Sequence, residues 1–415
     1  MNLSEQSGRN DRLLKKISER REAEVKKTLD SMRSRSDYSP CYNYFLGLAA
    51  GCLMDDKDLS EKTGRGVVNL LCIQAPIELI HAAGFHPFKV FCGAQSTLLA
   101  APSDLPALMC PMLKSVLGSM RMKTDDPKAL WVLPTTCDWV VKFPEMSRNL
   151  GTTQAQLHWM ELPHLKDGTR GQEHWLDEVY GLKTFLEEHG GVVDKKSLSK
   201  SVAVYQRAWQ AMVRLAEMRS RGLISSVWFM LMTNMFFYDA VERWTEAAER
   251  VLGTSETSRT GVGPSARVFL AGSPIFFPNF KVPMLLEEAE LFVVADDLCS
   301  SERIFPGAVA VGDTSLFGLI SALAQRYHQG CLCPTFIDND RRVNNILGRK
   351  SYSDFDGVVF HVLKGCHPYD LEGYGIESFL KKECLKFMRI ETDYTQEDGQ
   401  NLLTRLEAYR QTLEE

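Results

Sequence analysis

Four cysteines, Cys72, Cys137, Cys299 and Cys366, each stand at or just beyond the end of an apolar run that reads as a β-strand: VVNLLC, WVLPTTC, LFVVADDLC and VVFHVLKGC. Two further thiol positions, Cys110 and the Cys331/Cys333 pair, lie close to predicted helices or loops between such runs. In an open parallel α/β sheet the ligand crevice lies outside the carboxyl ends of the strands, so cysteines placed there face a common site. Core packing alone would scatter them. Thiolates are soft ligands suited to zinc or to iron–sulfur clusters. Structural zinc sites pair their ligands about two to four residues apart and add a second pair. Here the close pair is Cys331-Leu332-Cys333, and no second pair exists. Ferredoxin-type clusters use tight cysteine runs, which are absent too. A cluster in this chain must be assembled from distant segments that meet in a cleft.

The plain alternative for an isolated cysteine is a small, inert, buried residue. Several at strand ends weigh against that reading, while Cys41, Cys52, Cys92 and Cys384 are assigned to packing. Cys137 is followed by Asp138, Cys366 by His367-Pro368 and Cys110 by Pro111. Helix starts present free backbone N–H groups that stabilise thiolates. Glu78, two positions after Pro76, is a candidate proton donor, set against an ordinary acidic residue in a helix first turn. His367 is a candidate proton relay, set against a structural hydrogen bond. Asp138, Asp296, Asp297 and Asp393 read as caps or as acceptors for loop amides.

A chain of 415 residues exceeds one ordinary core and suggests two or three units. Its hydrophobic share of 44%, charged share of 24% and net charge of -5 fit a globular protein without a polyanion-binding field, so nucleic acid is not expected as a partner. The polar start MNLSEQSGRNDRLLKK lacks a secretory pattern. The apolar stretch VWFMLMTNMFF, residues 227–237, is shorter than the roughly 20 residues a membrane helix needs and reads as a buried helix. A cytoplasmic location without membrane attachment is expected. Eleven cysteines in a reducing compartment then read as metal ligands, catalytic thiols or packing residues rather than disulfides.

The elements that must position these thiols follow from periodicity. Residues 1–60 read as a helical arm with a thin apolar stripe of Leu13, Leu14, Ile17, Val25 and Leu29. Residues 61–174 alternate strand and helix as a first α/β domain, with LHWMELP as its last strand. Residues 175–265 form a helical insert or lid and a linker, the latter rich in Gly, Ser and Thr. Residues 266–415 repeat the α/β architecture, with strands at RVFLAGSPI, LFVVADDLC, FDGVVFHVLKGC and KFMRIETDY. The fold class is therefore α/β: two similar domains with small parallel sheets flanked by helices, plus the arm and the insert.

Taken in order, CIQAPIELIHAAGFHP from Cys72, LPALMCPMLKS, TTCDWVVKFPEM, AGSPI, ADDLCSSERIF, GCLCP with Arg341 downstream, FDGVVFHVLKGCHPYDLE and IETDYTQED resemble one family. It is the 2-hydroxyacyl-CoA dehydratase and benzoyl-CoA reductase family, matched from about residue 60 to the C-terminus. The resemblance implies two site architectures. Dehydratase subunits of the family hold one [4Fe-4S] cluster through three cysteines that match Cys110, Cys137 and Cys366. The double-cubane branch is a homodimer whose [Fe8S9]-type cluster takes six, and the added positions match Cys72, Cys299 and one of Cys331 and Cys333. The chain looks most like the second branch, with Cys333 placed among the metal ligands and either thiol of the pair able to serve. That implies an iron–sulfur reductase acting on a small-molecule substrate with low-potential electrons from an ATP-hydrolysing iron–sulfur activator protein. No G-x-x-x-x-G-K-[ST] motif is present, in keeping with nucleotide use on that partner. The alternatives are a subunit of a 2-hydroxyacyl-CoA dehydratase or aromatic acyl-CoA reductase, and a non-catalytic iron–sulfur scaffold. The chain departs from the double-cubane pattern at Trp139, Val140 and Val141, where a glycine and part of a lysine run are expected, and at Ala107 and Leu108 in place of arginine and asparagine.

Overall fold

The computed structural model describes residues 3–52, 55–90, 93–122, 129–149, 156–254, 266–337 and 340–414. Two four-stranded, fully parallel sheets form its frame. The first holds β1 (Gly66–Leu70), β2 (Phe85–Lys89), β3 (Leu130–Pro134) and β4 (Gln156–Met160), in the order β2-β1-β3-β4. The second holds β5 (Ala266–Gly272), β6 (Leu291–Asp296), β7 (Gly357–Leu363) and β8 (Lys386–Thr392), in the order β6-β5-β7-β8.

Strands β3, β6 and β7 are buried along their whole length, as parallel strands covered by helices on both faces must be. This is why they read as continuous apolar runs rather than as alternating ones. In both sheets the chain adds its second strand on one side of the first and its third on the other. The order therefore reverses between β1 and β3, and between β5 and β7, and such a reversal opens a crevice at the carboxyl ends.

Helices supply the covers and join the two sheets. The arm is the helix Leu3–Arg33, which buries Ile17, Val25, Leu29 and Met32 while Leu13 stays exposed. Thr28 Oγ1 donates to Pro278 O at 3.0 Å, and Arg35 bridges Asp37 and Glu287, so the arm is tied to the second sheet's side of the molecule. The insert comprises the helices Thr169–Glu188, Lys195–Ser220, Ser226–Asn234 and Val241–Thr254. Trp175, Trp228 and Trp244 on it are fully buried, and Trp228 stacks on Tyr42 at 4.3 Å. It is packed core rather than a lid. The stretch 227–237 is a buried helix and 3-10 turn, as its sequence implies.

Most elements fall where the periodicity places them, with shifted ends. The helix after β7 begins at His367 rather than near Ile376, and the helix Asp340–Ser353 between Cys333 and β7 has no counterpart in the sequence reading. Most of the Gly/Ser/Thr linker, residues 255–265, and Cys92 lie outside the described residues.

Three buried histidines constrain the response to acid. His86 Nε2 contacts Phe237 O at 2.9 Å, His81 Nδ1 contacts Ser201 Oγ at 3.0 Å and His361 Nδ1 contacts Ser273 O at 3.0 Å. Burial pulls His86 and His361 down to about 4 and His81 to about 3. The unfolded chain binds more protons than the folded one below its histidine pKa, so stability is full above about pH 6.5 and falls as pH drops toward about 4. Unfolding free energies from urea titrations at pH 7 and pH 5 should differ by about 1 to 2 kcal/mol for each such histidine.

Candidate functional site

Three of the thiols stand at the starts of three helices. Cys110 precedes the helix Pro111–Met122, Cys137 precedes Asp138–Asn149, and Cys366 is the N-cap of His367–Lys382. In each case the cysteine carbonyl accepts the first intrahelical hydrogen bond, from Lys114 N at 3.1 Å, Val141 N at 2.9 Å and Asp370 N at 3.0 Å. Cys366 is within hydrogen-bonding reach of the side chains of Cys110 and Ser273, and it acts electrostatically on Cys137. Backbone amides of the first helical turns face the sulfurs, Tyr369 N toward Cys366 and Val140 N and Trp139 N toward Cys137. Such amides and the helix dipole favour negative charge. They do not outweigh the environment: burial pushes Cys137 up to about 11, and the hydrogen bond with Cys110, then burial, raise Cys366 well above its ordinary value.

A glycine makes this meeting possible. Gly365 has φ of 78°, and a Cβ there would run into the Leu108 carbonyl and lie 3.2 Å from Cys110 N. The close approach of these backbones brings a thiol from the first domain against one from the second.

Cys72, Cys299, Cys331 and Cys333 form a second group. Burial raises Cys72 well above the ordinary thiol range, and Cys333, Cys331 and Cys299 add to the rise. Burial likewise pushes Cys331 up to about 12 and Cys333 up to about 11. Gln74 Nε2 donates to Cys331 Sγ at 2.8 Å. This group again draws on both domains, since Cys72 follows β1 while the other three belong to the second domain.

Buried cations surround this second group. Lys89 Nζ donates to Cys299 O at 2.7 Å, and Lys166 Nζ donates to Cys331 O. Arg303 donates through Nε to Asp297 O and through Nη2 to Tyr369 Oη, and its buried Nη1 has no hydrogen-bond partner among the described residues. Burial pulls Lys89 down and takes Lys166 to about 8, while the nearby thiols oppose the fall. Arg342 holds the loops that carry the thiols: Nη1 donates to Leu332 O at 3.1 Å, Nη2 faces Asp297 at 2.8 Å and Nε faces Glu372 at 2.8 Å. None of these cations stood out in the sequence. Arg303 sits inside CSSERIF, but a single basic residue in a loop carries no periodic signal.

Glu78 is fully buried, with Arg326 on one carboxylate oxygen at 2.5 Å and Tyr327 Oη donating to the other at 2.8 Å. Tyr327 Oη also accepts from Ile77 N at 3.2 Å. Both oxygens are engaged in a contact between domains. His367 is exposed, beside Cys366, its ring 6.1 Å from that of Trp139. Asp138 is exposed, Asp393 accepts from Thr395 N at 2.8 Å, and Asp296 accepts from Leu298 N at 2.9 Å while also pairing with the buried Arg219 at 2.6 Å. Cys41 and Cys52 pack against the main core, whereas Cys384 is exposed with φ of 54°, so its assignment to packing is corrected. It sits at a helix end in a left-handed turn, which turns the side chain to solvent.

A cavity of about 500 Å³ opens beside the second thiol group, with Cys331, Arg303 and Asp297 on one side and Trp209, Met212 and Arg349 on the other. Among the described residues no helix is long and apolar enough to cross a membrane.

Replacing Arg326 with Met leaves Glu78 buried without its cation. The expected cost is about 3 to 5 kcal/mol in unfolding free energy, measured by urea denaturation. Adding Glu78→Gln to Arg326→Met should recover most of it.

A family profile described as 2-hydroxyglutaryl-CoA dehydratase, D-component, matches residues 72–413. YjiM of Escherichia coli strain K12, which carries a provisional dehydratase-subunit name, is 27% identical over 371 residues, covering 86% of this chain and 93% of that protein. The (R)-phenyllactyl-CoA dehydratase beta subunit of Clostridium sporogenes is 21% identical over 360 residues, covering 85% and 93%. The lactoyl-CoA dehydratase subunit beta of Anaerotignum propionicum is 21% identical over 362 residues, covering 86% and 94%. The profile spans strands β2 to β8 and all seven clustered thiols, and the chain belongs to the 2-hydroxyglutaryl-CoA dehydratase D-component family.

Proposed function

We propose that the chain is an iron–sulfur reductase holding a double-cubane [Fe8S9]-type cluster between its two sheets. It works as a cytoplasmic homodimer on a small-molecule substrate, with electrons from an ATP-hydrolysing iron–sulfur activator protein. One observation carries the reading: the thiols fall into two groups, each with at least three sulfurs and each drawing on both domains. Cys110, Cys137 and Cys366 would hold one half, and Cys72, Cys299 and Cys333 or Cys331 the other. The donor set fits, because soft thiols are gathered beside helix starts and buried cations that favour an anionic group. When bound, such a group supplies storage and delivery of electrons at low potential.

The chain's own residues do the rest. The raised thiols are protonated near neutral pH without metal, so loading displaces protons and is favoured as pH rises. Glu78, held by Arg326 and Tyr327, keeps the domains in register. His367, exposed next to Cys366, is placed to exchange protons with solvent. The cavity beside Cys331 and Arg303 offers room for the substrate.

A second reading rests on the names of the relatives, two of which are dehydratase subunits acting on acyl-CoA substrates. On that reading the chain is a lyase subunit with one [4Fe-4S] cluster on Cys110, Cys137 and Cys366, paired with a different subunit. Anaerobic iron and sulfide analysis separates the two. The double-cubane reading expects about eight irons per chain, falling to about four in either Cys137→Ser or Cys299→Ser. About four irons, lost with Cys137→Ser but kept with Cys299→Ser, would favour the dehydratase subunit. Gly365→Ala, which drives Cys110 away from Cys366, should lower iron content without touching a thiol.

A further inference from the structure

We infer that the two thiol groups are electrically unequal, and that Lys89, Lys166 and Arg303 make the chamber of Cys72, Cys299, Cys331 and Cys333 the half in which an added electron resides. The inference rests on the reading of these thiols as iron–sulfur ligands and goes beyond it by assigning an order to the two halves.

The two groups are surrounded by different kinds of positive charge. Cys110, Cys137 and Cys366 face three helix N-termini, and each helix end carries only about half an elementary charge. Ser273 beside Cys366 is neutral, Asp138 opposes negative charge on Cys137, and Lys364, two residues before Cys366, is exposed to solvent. The other chamber faces whole cations. Lys89 bonds the Cys299 carbonyl and acts electrostatically on Cys299 and Cys72, Lys166 bonds the Cys331 carbonyl and acts on Cys331 and Cys333, and Arg303 acts on Cys299 and Cys333. The two lysines are 6% and 5% exposed, so water screens them little. Their placement is fixed by the backbone carbonyls of Cys299 and Cys331 and by the faces of Phe276 at 5.0 Å and Phe336 at 4.2 Å.

Arg303 adds directionality. Two of its nitrogens are committed to Asp297 O and Tyr369 Oη, which fixes the plane of the guanidinium, while the buried Nη1 lacks a hydrogen-bond partner among the described residues. A buried N–H without an acceptor is costly unless a bound group supplies one. A sulfur of the bound group in this chamber is the acceptor that would complete it. Negative charge added there is stabilised by all three cations at once. A one-electron transfer from an external low-potential reductant therefore ends on this side, which also borders the cavity, with no bond made or broken in the chain.

The test is an anaerobic redox titration of reconstituted protein, with dithionite as reductant, followed by electron paramagnetic resonance and iron analysis. Arg303→Gln at unchanged iron content should make the first reduction at least tenfold less favourable, a drop of about 59 mV in midpoint for one electron. Lys166→Met should act in the same direction, and Arg303→Lys should restore most of the loss. Lys364→Gln, near Cys366 but exposed, should leave the first midpoint in place. An unchanged first midpoint in Arg303→Gln and Lys166→Met, with iron retained, would overturn the assignment. So would a first midpoint that moves with Lys364→Gln instead. A wild-type chain that takes up no iron would overturn the ligand reading itself, a separate and distinguishable failure.

Discussion

Charge buried along the seam between the two sheets is the constraint on which the structure depends. Glu78 meets Arg326 and Tyr327 there; within the second domain Asp297 and Glu372 meet Arg342, and Asp296 meets Arg219 of the helical insert, all of them buried. An ion left alone in such a place costs several kcal/mol, while the pair costs little, so Glu78 with Arg326 enforces one placement of the first domain on the second, and the Arg342 and Arg219 pairs hold the second domain's loops and the insert in place. Burial lifts Glu372 to about 7 even beside Arg342, in keeping with a dry interior around that pair. The placement matters because both thiol groups are assembled across it.

The sheets decide where along the seam chemistry can occur. Parallel strands all end on one side, and the order reversal leaves a gap above β1 and β3 and another above β5 and β7. Cys72 and Cys137 follow the two strands flanking the first gap. Cys366 follows β7 and meets Ser273, which follows β5, across the second. The two gaps face each other, so a pair of modest four-stranded sheets encloses a site that neither could build alone.

Two kinds of polarity are used at that site. Helix starts give partial charge with rigid direction, and they are bound to the thiols by sequence, because each of Cys110, Cys137 and Cys366 immediately precedes its helix. Lysine and arginine side chains give full charge but must be carried in from elsewhere: Lys89 from the end of β2, Lys166 from the loop after β4 and Arg303 from the turn after β6. The loop tied down by Arg342 through Leu332 O holds Cys331 and Cys333 among them.

The sequence by itself determined the α/β class, both four-stranded sheets and the helical insert, because buried parallel strands leave continuous apolar runs and helices leave a period of about 3.6 residues. It also marked the clustered thiols, because a cysteine at a strand end is a local feature. It could not mark Lys89, Lys166, Arg303 or Arg342 as neighbours of those thiols, nor Glu78 as the partner of Arg326, since each contact joins residues far apart in the chain. Strand ends alone do not group the cysteines; the family resemblance implies the grouping, and the tertiary structure supplies the contacts that make it. Sequence order puts Cys72, Cys110 and Cys137 together, whereas the packed domains put Cys72 with Cys299, Cys331 and Cys333, and Cys366 with Cys110 and Cys137. The physical reason is that local patterning fixes which strand end a thiol occupies, while the docking of one sheet against the other, set by the buried Glu78–Arg326 pair and by the close approach at Gly365, fixes which ends meet.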